Sequence, residues 1–388
     1  MKRLVALCLG LLLMCGCVGG LSIDQYSYVI DIGIEKGERL PYLVTLMVNT
    51  PSSQPDSEGN SGSFTVITAE GRSLFEAIET LAASQPNELN FGRTTLMMFS
   101  REFAQDDMIM ESMDIALGKL RIRQNIRVII AEGDIKSVFE GFASSSDPST
   151  NKLKVKVTNS VNTTGMTVDT TWNLMLESFE NKTQDAIVCF CGVNQQEIRE
   201  DMVGGNAYPY IGGATLASGE LKTSIIGSAV FSGTRMVGIL DGQHTMLVQM
   251  ATGKFSQGRI RVNYKDGREL SVMLFSNGAP KVSIEGDTVS FVISLVADVE
   301  MPKLIESTTS KELEDFLAYY IASESARVFT AVQNADSDVF CVGQQMIKHM
   351  ENDEQWASLD FDQVYGKLNA AFTVIIKLSH DPDNVALE

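Results

Sequence analysis

Histidine, tryptophan and basic side chains are scarce in this chain of 388 residues. The chain has three histidines and two tryptophans, and its 49 acidic residues against 31 basic ones give a formal net charge of −18. Because nucleic acids are bound through clustered Lys and Arg, this charge argues against a nucleic-acid partner. Anionic lipid headgroups are also repelled on average, so we do not expect a polybasic membrane-binding patch.

Recognisable catalytic and metal-binding motifs are missing as well. The sequence contains no G-x-x-x-x-G-K-[ST], H-E-x-x-H or G-x-S-x-G pattern. His244, His349 and His380 are far apart, so a Ser/His/Asp triad would have to assemble in space. Asp336-Ser-Asp338 lacks the later ligands of an EF-hand, and His380-Asp381-Pro382-Asp383 is more typical of a solvated tail than of a metal site. The sequence therefore indicates no catalytic residue, no metal site and no cofactor.

Long apolar runs are limited to the amino terminus. Lys2 and Arg3 precede an apolar run of 12 residues from Leu4 to Cys15, and small Gly16 then precedes Cys17. The run is too short for a transmembrane helix, which needs about 20 apolar residues, but it fits an export signal. A small residue followed by cysteine resembles a bacterial lipobox, so residues 1–16 are predicted to be a lipoprotein signal peptide and Cys17 the lipidated first residue. An ordinary cleaved signal is the alternative.

Cysteine is otherwise rare. Removal of the signal leaves Cys17 and three further cysteines, Cys189, Cys191 and Cys341, which is too few for a dense disulfide framework. Cys189 and Cys191 lie in the apolar run 186–193, where a strand would point both thiols to one face. Buried free thiols are the first interpretation, and a redox or metal pair is the second.

The N-terminal half alternates strand and helix patterns. Ser73 and Glu76 form a capping-box pattern before apolar residues at helical spacing. The predicted strands cover 26–35, 42–48, 64–68, 94–99 and 126–131, and the predicted helices cover 73–84, 101–119 and 134–142. This alternation indicates a mixed α/β layer.

The C-terminal half has a different character. A Ser/Pro/Asn-rich linker at 144–151 is followed by a less regular stretch, in which only helix 170–180 and strand 186–193 are predicted, and by a polar loop at 197–219. Beyond it, strands are predicted at 222–231, 235–240, 258–264, 270–276, 288–298 and 371–378, and helices at 310–333 and 343–352. Turn residues separate most of the strands between 222 and 298, which is typical of an antiparallel sheet.

These patterns predict a multi-domain α+β protein. A mixed α/β N-terminal domain would precede a C-terminal antiparallel sheet packed with long helices. The predicted boundaries are 17–148 for the N-terminal domain, 149–217 for a small middle domain or linker, 218–380 for the C-terminal domain and 381–388 for a tail.

Several short motifs occur in a fixed order along the chain. They are Ile-Asp-Ile-Gly-Ile-Glu-Lys-Gly at 30–37, Gly-Arg-Ser-Leu-Phe-Glu-Ala-Ile at 71–78, Asn-Phe-Gly-Arg-Thr at 90–94, Ile-Gly-Ser-Ala-Val-Phe at 226–231, Met-Val-Gly-Ile-Leu-Asp-Gly at 236–242 and Asp-Val-Phe-Cys-Val-Gly at 338–343, with Trp356 and the strand 372–376 after them. Their order and spacing resemble those of the Ger(x)C spore germination lipoproteins. Two departures stand out, because Val18-Gly19-Gly20 replaces the usual Trp-Asp and Arg93 stands where histidine is common.

The resemblance implies a fold of three α+β domains and a non-enzymatic role. Family members resemble the C subunit of nutrient germinant receptors, needed for spore germination. They are lipid-anchored, here by the lipid (palmitate) on Cys17, on the outer face of the spore's inner membrane. The implied partners are the membrane-spanning A- and B-type receptor subunits and the lipid bilayer. Loop 51–63 and the helix that begins at Asp241 are candidate contact sites.

Two other functions remain open from the sequence. A solute-binding lipoprotein that serves a transporter would have two similar α/β lobes, whereas the halves of this chain differ in class. An exported hydrolase would need a catalytic group that assembles only in the folded chain.

Overall fold

The computed structural model describes residues 25–50, 63–143, 152–181, 183–193, 223–267, 269–299, 308–348, 350 and 353–379. These residues form a nine-stranded sheet, a five-stranded sheet and eleven helices. The mixed α/β architecture with more than one layer agrees with the predicted fold class.

The first sheet has a parallel centre and antiparallel flanks. Its strands run in the order β3-β2-β1-β5-β6-β7-β8-β9, with β4 beside β1; β1, β5, β6 and β7 are parallel to one another. The strands are β1 (Tyr26–Glu35), β2 (Tyr42–Thr50), β3 (Ser63–Gly71), β4 (Glu88–Asn90), β5 (Leu96–Ser100), β6 (Arg127–Glu132), β7 (Ile187–Val193), β8 (Thr223–Ser232) and β9 (Arg235–Asp241). Every residue of β5 is buried, as expected for a central strand covered on both faces.

Helices cover both faces of this sheet. They are α1 (Leu74–Ala83), α2 (Arg101–Gln105), α3 (Ile109–Leu120), α4 (Ile135–Ala143), α5 (Lys152–Asn159) and α6 (Trp172–Asn181), and a π-helical turn, Ser160–Thr164, follows α5. On one face, α1, α2, α3 and α6 pack around Ile32, Phe99 and Ile130. On the other face, α4 and α5 pack around Ile30 and Met98.

The second sheet forms a separate layer with its own helices. Its order is β10-β11-β13-β12, and β14 pairs with β13. The strands are β10 (Gln257–Asn263), β11 (Glu269–Ser276), β12 (Lys281–Glu285), β13 (Thr288–Val299) and β14 (Asn369–Leu378), and the helices are α7 (Gly242–Thr252), α8 (Ser310–Gln333), α9 (Val342–Ile347), α10 (Asp353–Ala357) and α11 (Phe361–Tyr365). Alternate residues of β13 are buried, so one sheet face meets the core, where Phe291, Phe329 and Phe340 pack together.

The structure corrects the predicted membership of this sheet. The predicted strands 222–231 and 235–240 form β8 and β9, which extend the first sheet through antiparallel pairing of β7 with β8. The pairs among β10, β11, β12 and β13 are antiparallel as predicted, and β14 joins them in parallel with β13. Since the first sheet continues past residue 217, its strands lie on both sides of the predicted domain boundary. The division into domains stays a prediction.

Two helix predictions were also inaccurate. The helix predicted at 101–119 is broken into α2 and α3, where Asp107 has a φ of 63°. In the stretch predicted as irregular after residue 151, α5 and the π-helical turn form instead.

Candidate functional site

Part of the predicted site cannot be compared with the structure. Cys17, Val18-Gly19-Gly20, His349, His380 and most of the two predicted loops, 51–63 and 197–219, lie outside the described residues. Within the described ranges, no helix is long and apolar enough to cross a membrane.

His244 is the histidine that the structure does describe, and it lies in a buried polar cluster at the start of α7. Its backbone N–H donates to Asp241 Oδ1 over 2.8 Å, so Asp241 caps the helix. The ring places Nδ1 3.4 Å from Asp241 Oδ1, and Arg327 Nη2 lies 2.9 Å from Nε2. Glu324 Oε2 lies 3.8 Å from the same Nε2.

Glu324 completes this cluster from α8. Its carboxylate accepts from Arg327 Nε over 3.1 Å, and hydrogen bonding to the His244 ring and to Arg327 lowers the pKa of Glu324 to about 2. No described serine or cysteine bonds to His244, so the described residues contain no Ser/His/Asp triad there. The cluster joins α7 to α8 across 83 residues of sequence.

The helix that begins at Asp241 is an interior element. Residues Gly242 to Ala251 are all buried, and the helix contacts β8 and β9 of the first sheet, β13 of the second and α8. Its polar side chains are used inside, since Gln249 Nε2 donates to the carbonyls of Gly165 and Thr167. This stretch has no exposed face for a partner, and the prediction that this helix makes such a contact is wrong.

A second buried polar cluster holds the motif Asp338–Gly343. The Asp338 carboxylate accepts from the backbone N–H groups of Val342 (2.9 Å) and Gly343 (2.8 Å). Its own N–H donates to Asp185 Oδ2 over 2.7 Å, and Asp185 Oδ1 accepts from Gly233 N over the same distance. The cluster therefore ties α9 to the loop before β7 and to the β8–β9 turn.

Both carboxyl groups of this cluster are perturbed by burial. Burial raises the pKa of Asp338 to about 7, against the opposing effect of the Gly343 and Val342 N–H groups. Burial likewise raises the pKa of Asp185 to about 6, against the donors Asp338 and Gly233. Asp338 is thus committed to backbone capping, and the described residues hold no group of three or more His, Cys, Asp or Glu that could bind a metal ion.

Close backbone packing accounts for two of the motif glycines. A Cβ at Gly227 would lie 2.0 Å from the carbonyl oxygen of Leu240, and a Cβ at Gly343 would lie 2.6 Å from that of Thr183. Neither approach is compatible with a side chain, because backbone atoms cannot move aside as a flexible side chain can. These motif positions serve the fold.

The cysteine predictions are confirmed for the strand pair. Cys189 and Cys191 are free and buried in the same apolar cluster on one face of the first sheet. Burial raises the pKa of Cys189 to about 12 and that of Cys191 further. The free Cys341 thiol, also of raised pKa, donates to Gln184 Oε1 over 3.1 Å. None is set up as a reactive thiolate.

A cavity of about 430 Å³ opens where β5 and β6 begin, and we call it the basic cavity. Its lining includes three cations, Arg93, Arg123 and Lys154, together with the side-chain amides of Asn49 and Asn125. The Arg93 guanidinium lies 4.2 Å from the centroid of the Tyr28 ring, a cation–π distance. No aspartate or glutamate belongs to the lining that the structure describes.

Sequence reasoning found one member of this cavity. Arg93 is a departure within the motif Asn90–Thr94, where Asn90 Oδ1 accepts from Gly92 N and Phe91 is buried. Arg123 and Lys154 carried no signal, because each is a single cation in an unremarkable segment.

Two family models match the chain in order. The model described as spore germination protein N-terminal domain matches residues 21–191, and the model described as spore germination B3/GerAC-like, C-terminal, matches residues 226–381. The chain belongs to the GerAC-type family of spore germination proteins. The resemblance drawn from the motifs is thereby confirmed for the family.

A solved structure has the same fold. The chain is similar to a protein described as "Crystal Structure of the GerBC protein", with 12% sequence identity and a TM-score of 0.52 over 92% of this chain and 100% of that one. At this identity the likeness concerns the fold alone. Comparison with curated proteins gives no significant match.

Proposed function

We propose that this GerAC-type protein is the non-enzymatic C subunit of a nutrient germinant receptor, needed for spore germination. The observation that carries the proposal is the match of both family models, in order, over residues 21–191 and 226–381. The structural roles of the motif residues support it. Asp241, Asp338, Gly227 and Gly343 cap helices or allow close packing, so these motif residues serve a scaffold.

Attachment to the membrane is proposed to come from lipid on Cys17. Two acyl chains hold a protein stably at a bilayer, whereas one chain holds it only marginally, and the diacylglycerol of a lipoprotein supplies two. Loss of Lys2 and Arg3 with the signal would take the formal charge from −18 to −20. Covalent lipid would therefore oppose the average repulsion between this acidic protein and anionic headgroups.

The lipid would also favour assembly with partners. Confinement to the outer face of the spore's inner membrane raises the effective concentration of the protein beside membrane-spanning A- and B-type subunits. In this proposal the protein contributes a rigid scaffold to the receptor, and the partners cross the membrane.

Deletion and point variants test the role and the anchor separately. Deletion in the native host is expected to slow or abolish nutrient-triggered germination, and an unchanged germination rate would refute the receptor role. Cys17→Ala is expected to leave the circular dichroism spectrum unchanged and to move the protein from the detergent phase to the aqueous phase. Cys15→Ala is the matched control and should stay in the detergent phase. If Cys17→Ala also stays there, the anchor is elsewhere.

The non-enzymatic role has its own test. A screen of the purified protein against peptidase, esterase and glycosidase substrates should give no turnover. Robust turnover that survives further purification would contradict the proposal.

A further inference from the structure

The basic cavity concentrates positive charge in an acidic protein. Arg93 precedes β5 by three residues, Arg123 precedes β6 by four, and Lys154 comes from α5. The formal charge of the whole chain is −18. A cavity lined by three cations therefore has the opposite sign of charge to the protein as a whole. At physiological ionic strength charges act over about 8 Å, and the local cations therefore dominate inside the cavity.

The three cations are not neutralised within the part of the chain that the structure describes. Neighbouring arginines show the contrast. Arg127 forms a two-pronged pair with Asp169, at 2.7 Å and 2.6 Å, and Arg101 pairs with Glu132 at 3.1 Å. Arg93, Arg123 and Lys154 have no such carboxylate partner among the described residues, and all three line the basic cavity. The partly buried Arg101 and Arg127 are paired with carboxylates, whereas Arg93 and Arg123 are exposed side chains.

The threonine hydroxyl groups around the cavity already donate hydrogen bonds within the protein, so they are not available as donors to a ligand. Thr94 Oγ1 donates to the carbonyl of Val29 and Thr95 Oγ1 donates to Asp31 Oδ1. Asp31, which accepts from Thr95, is a buried carboxyl whose pKa burial raises to about 7. The free donors of the cavity are thus the three cations and the amides of Asn49 and Asn125.

Asn49 holds a buried polar atom in the wall of the cavity. Its Oδ1 is buried and has no hydrogen-bond partner among the described residues. Buried polar atoms are rarely left unpaired, and each such atom needs an explanation. Because this atom is closed off from solvent, it is not itself a ligand contact, and Asn49 contributes to the wall of the cavity.

The size and lining of the cavity indicate the class of ligand. A volume of about 430 Å³ falls within the range of small-molecule sites and exceeds what one inorganic oxyanion needs. Ile30 and Ile126 add an apolar wall. Arginine forks and lysine are the side chains that bind phosphate oxygens best. We propose that the basic cavity binds the phosphate group of a small phosphate ester, either a soluble molecule or the headgroup of a lipid.

The position of the cavity in the fold is compatible with either a soluble phosphate ester or a lipid headgroup as the ligand. Arg93 lies against Tyr28 in the amino-terminal half of β1, so the cavity is at the end of the sheet where β1 begins. Cys17 precedes Tyr26 by nine residues, which span at most about 30 Å. A lipid-anchored chain could therefore hold this end near the bilayer, although a soluble ligand needs no anchor.

A soluble probe tests the site directly. Calorimetry with pyrophosphate and glycerol 3-phosphate on the purified chain carrying Cys17→Ala is expected to show binding that weakens as salt rises. The double variant Arg123→Gln/Lys154→Gln should weaken this binding by at least about tenfold. The double variant Arg39→Gln/Lys281→Gln is the matched control, because it removes the same charges from exposed positions outside the cavity. Thermal unfolding of every variant checks that each one folds.

A vesicle arm distinguishes the two sources. The same Cys17→Ala proteins are floated with phosphatidylcholine vesicles that do or do not contain phosphatidylglycerol. Flotation only with phosphatidylglycerol, lost in Arg123→Gln/Lys154→Gln and kept in the control, would assign the site to a headgroup. Binding of the soluble probes with the same variant pattern would assign it to a soluble phosphate ester.

Two results would overturn the proposal. One is the absence of binding in both arms by folded protein. The other is binding that Arg123→Gln/Lys154→Gln and the control weaken equally, because the charge of the whole surface would then be responsible. Neither result bears on the receptor role, which the germination test decides by itself.

Discussion

Replacement of Asp338 by asparagine should change the stability of the protein in opposite directions at low and high pH. The buried carboxyl accepts two backbone N–H groups, from Val342 and Gly343. In Asp338→Asn, the amide oxygen can satisfy one of these donors, but its NH₂ group faces the other. An unsatisfied buried donor costs about 1–3 kcal/mol, so the variant should be less stable by this amount near pH 4, where the aspartic acid is largely neutral.

The pKa of Asp338 determines what happens as pH rises. Burial raises this pKa from 3.8 to about 7, so between these values the folded state binds the proton that the unfolded state has lost. Stability is therefore greatest below the unfolded pKa and decreases as pH rises through the folded pKa. A shift of about three units corresponds to about 4 kcal/mol. Asparagine does not ionise, and Asp338→Asn should equal or exceed the wild type in stability near pH 8.

Urea unfolding followed by circular dichroism across this pH range measures the difference. Buried carboxyls outside this cluster, such as Asp31, whose pKa is also raised to about 7, titrate in both proteins and cancel, whereas Asp185 is coupled to Asp338 and belongs to the measured difference. Asp287→Asn, at an exposed position of the β12–β13 turn, is the control and should leave the pH profile unchanged. A loss of stability in Asp338→Asn that is constant or grows with pH would refute the reasoning, since it would mean that the two N–H donors outweigh burial.

Three further predictions concern packing, capping and thiol chemistry. Gly227→Ala should lower the free energy of unfolding by about 3 kcal/mol because its Cβ would meet the Leu240 carbonyl, whereas Gly118→Ala, with open space in α3, should raise it by about 0.5–1 kcal/mol; urea denaturation compares the two. Thr309→Ala removes the capping hydroxyl of α8 and should cost about 1 kcal/mol, with Thr309→Ser as the conservative control. The Cys189 thiol should react with a maleimide only after unfolding, as followed by mass spectrometry, since it is buried with a raised pKa; rapid labelling of the native protein would contradict this.

Elements with strong local signals could be predicted from the sequence. Ser73 Oγ accepts from Glu76 N over 3.2 Å, and Glu76 Oε2 accepts from Arg72 N over 2.8 Å, which places α1 where its capping pattern indicated. The capping box of Thr309 and Glu312 likewise begins α8. In both cases the information lies within four residues, so the neighbouring sequence is sufficient.

Elements defined by distant partners could not be predicted in the same way. The hairpin β8–β9 has a clear strand pattern, but this pattern does not indicate which sheet the hairpin joins. That depends on its pairing with β7, which is distant in the sequence. Helix α7 is buried on every side, so it lacks the one-sided apolar stripe by which surface helices are recognised. Its polar residues Gln243 and Gln249 are satisfied by Tyr320 Oη and by backbone carbonyls, which no local pattern reveals.

The basic cavity shows why a binding site can be invisible in a sequence that nevertheless encodes it. Arg93 and Arg123 are 30 residues apart and come together only because β5 and β6 are adjacent parallel strands, with Leu96 opposite Arg127. The excess of acidic over basic residues describes the average charge of the surface. Binding, however, depends on the few side chains around one cavity. Since charge is screened within about 8 Å, the acidic remainder of the surface does not cancel three cations that share a space of about 430 Å³. Nucleic acid, which the net charge argues against as a partner, needs an extended basic surface. A single phosphate group needs only a few cations around one cavity.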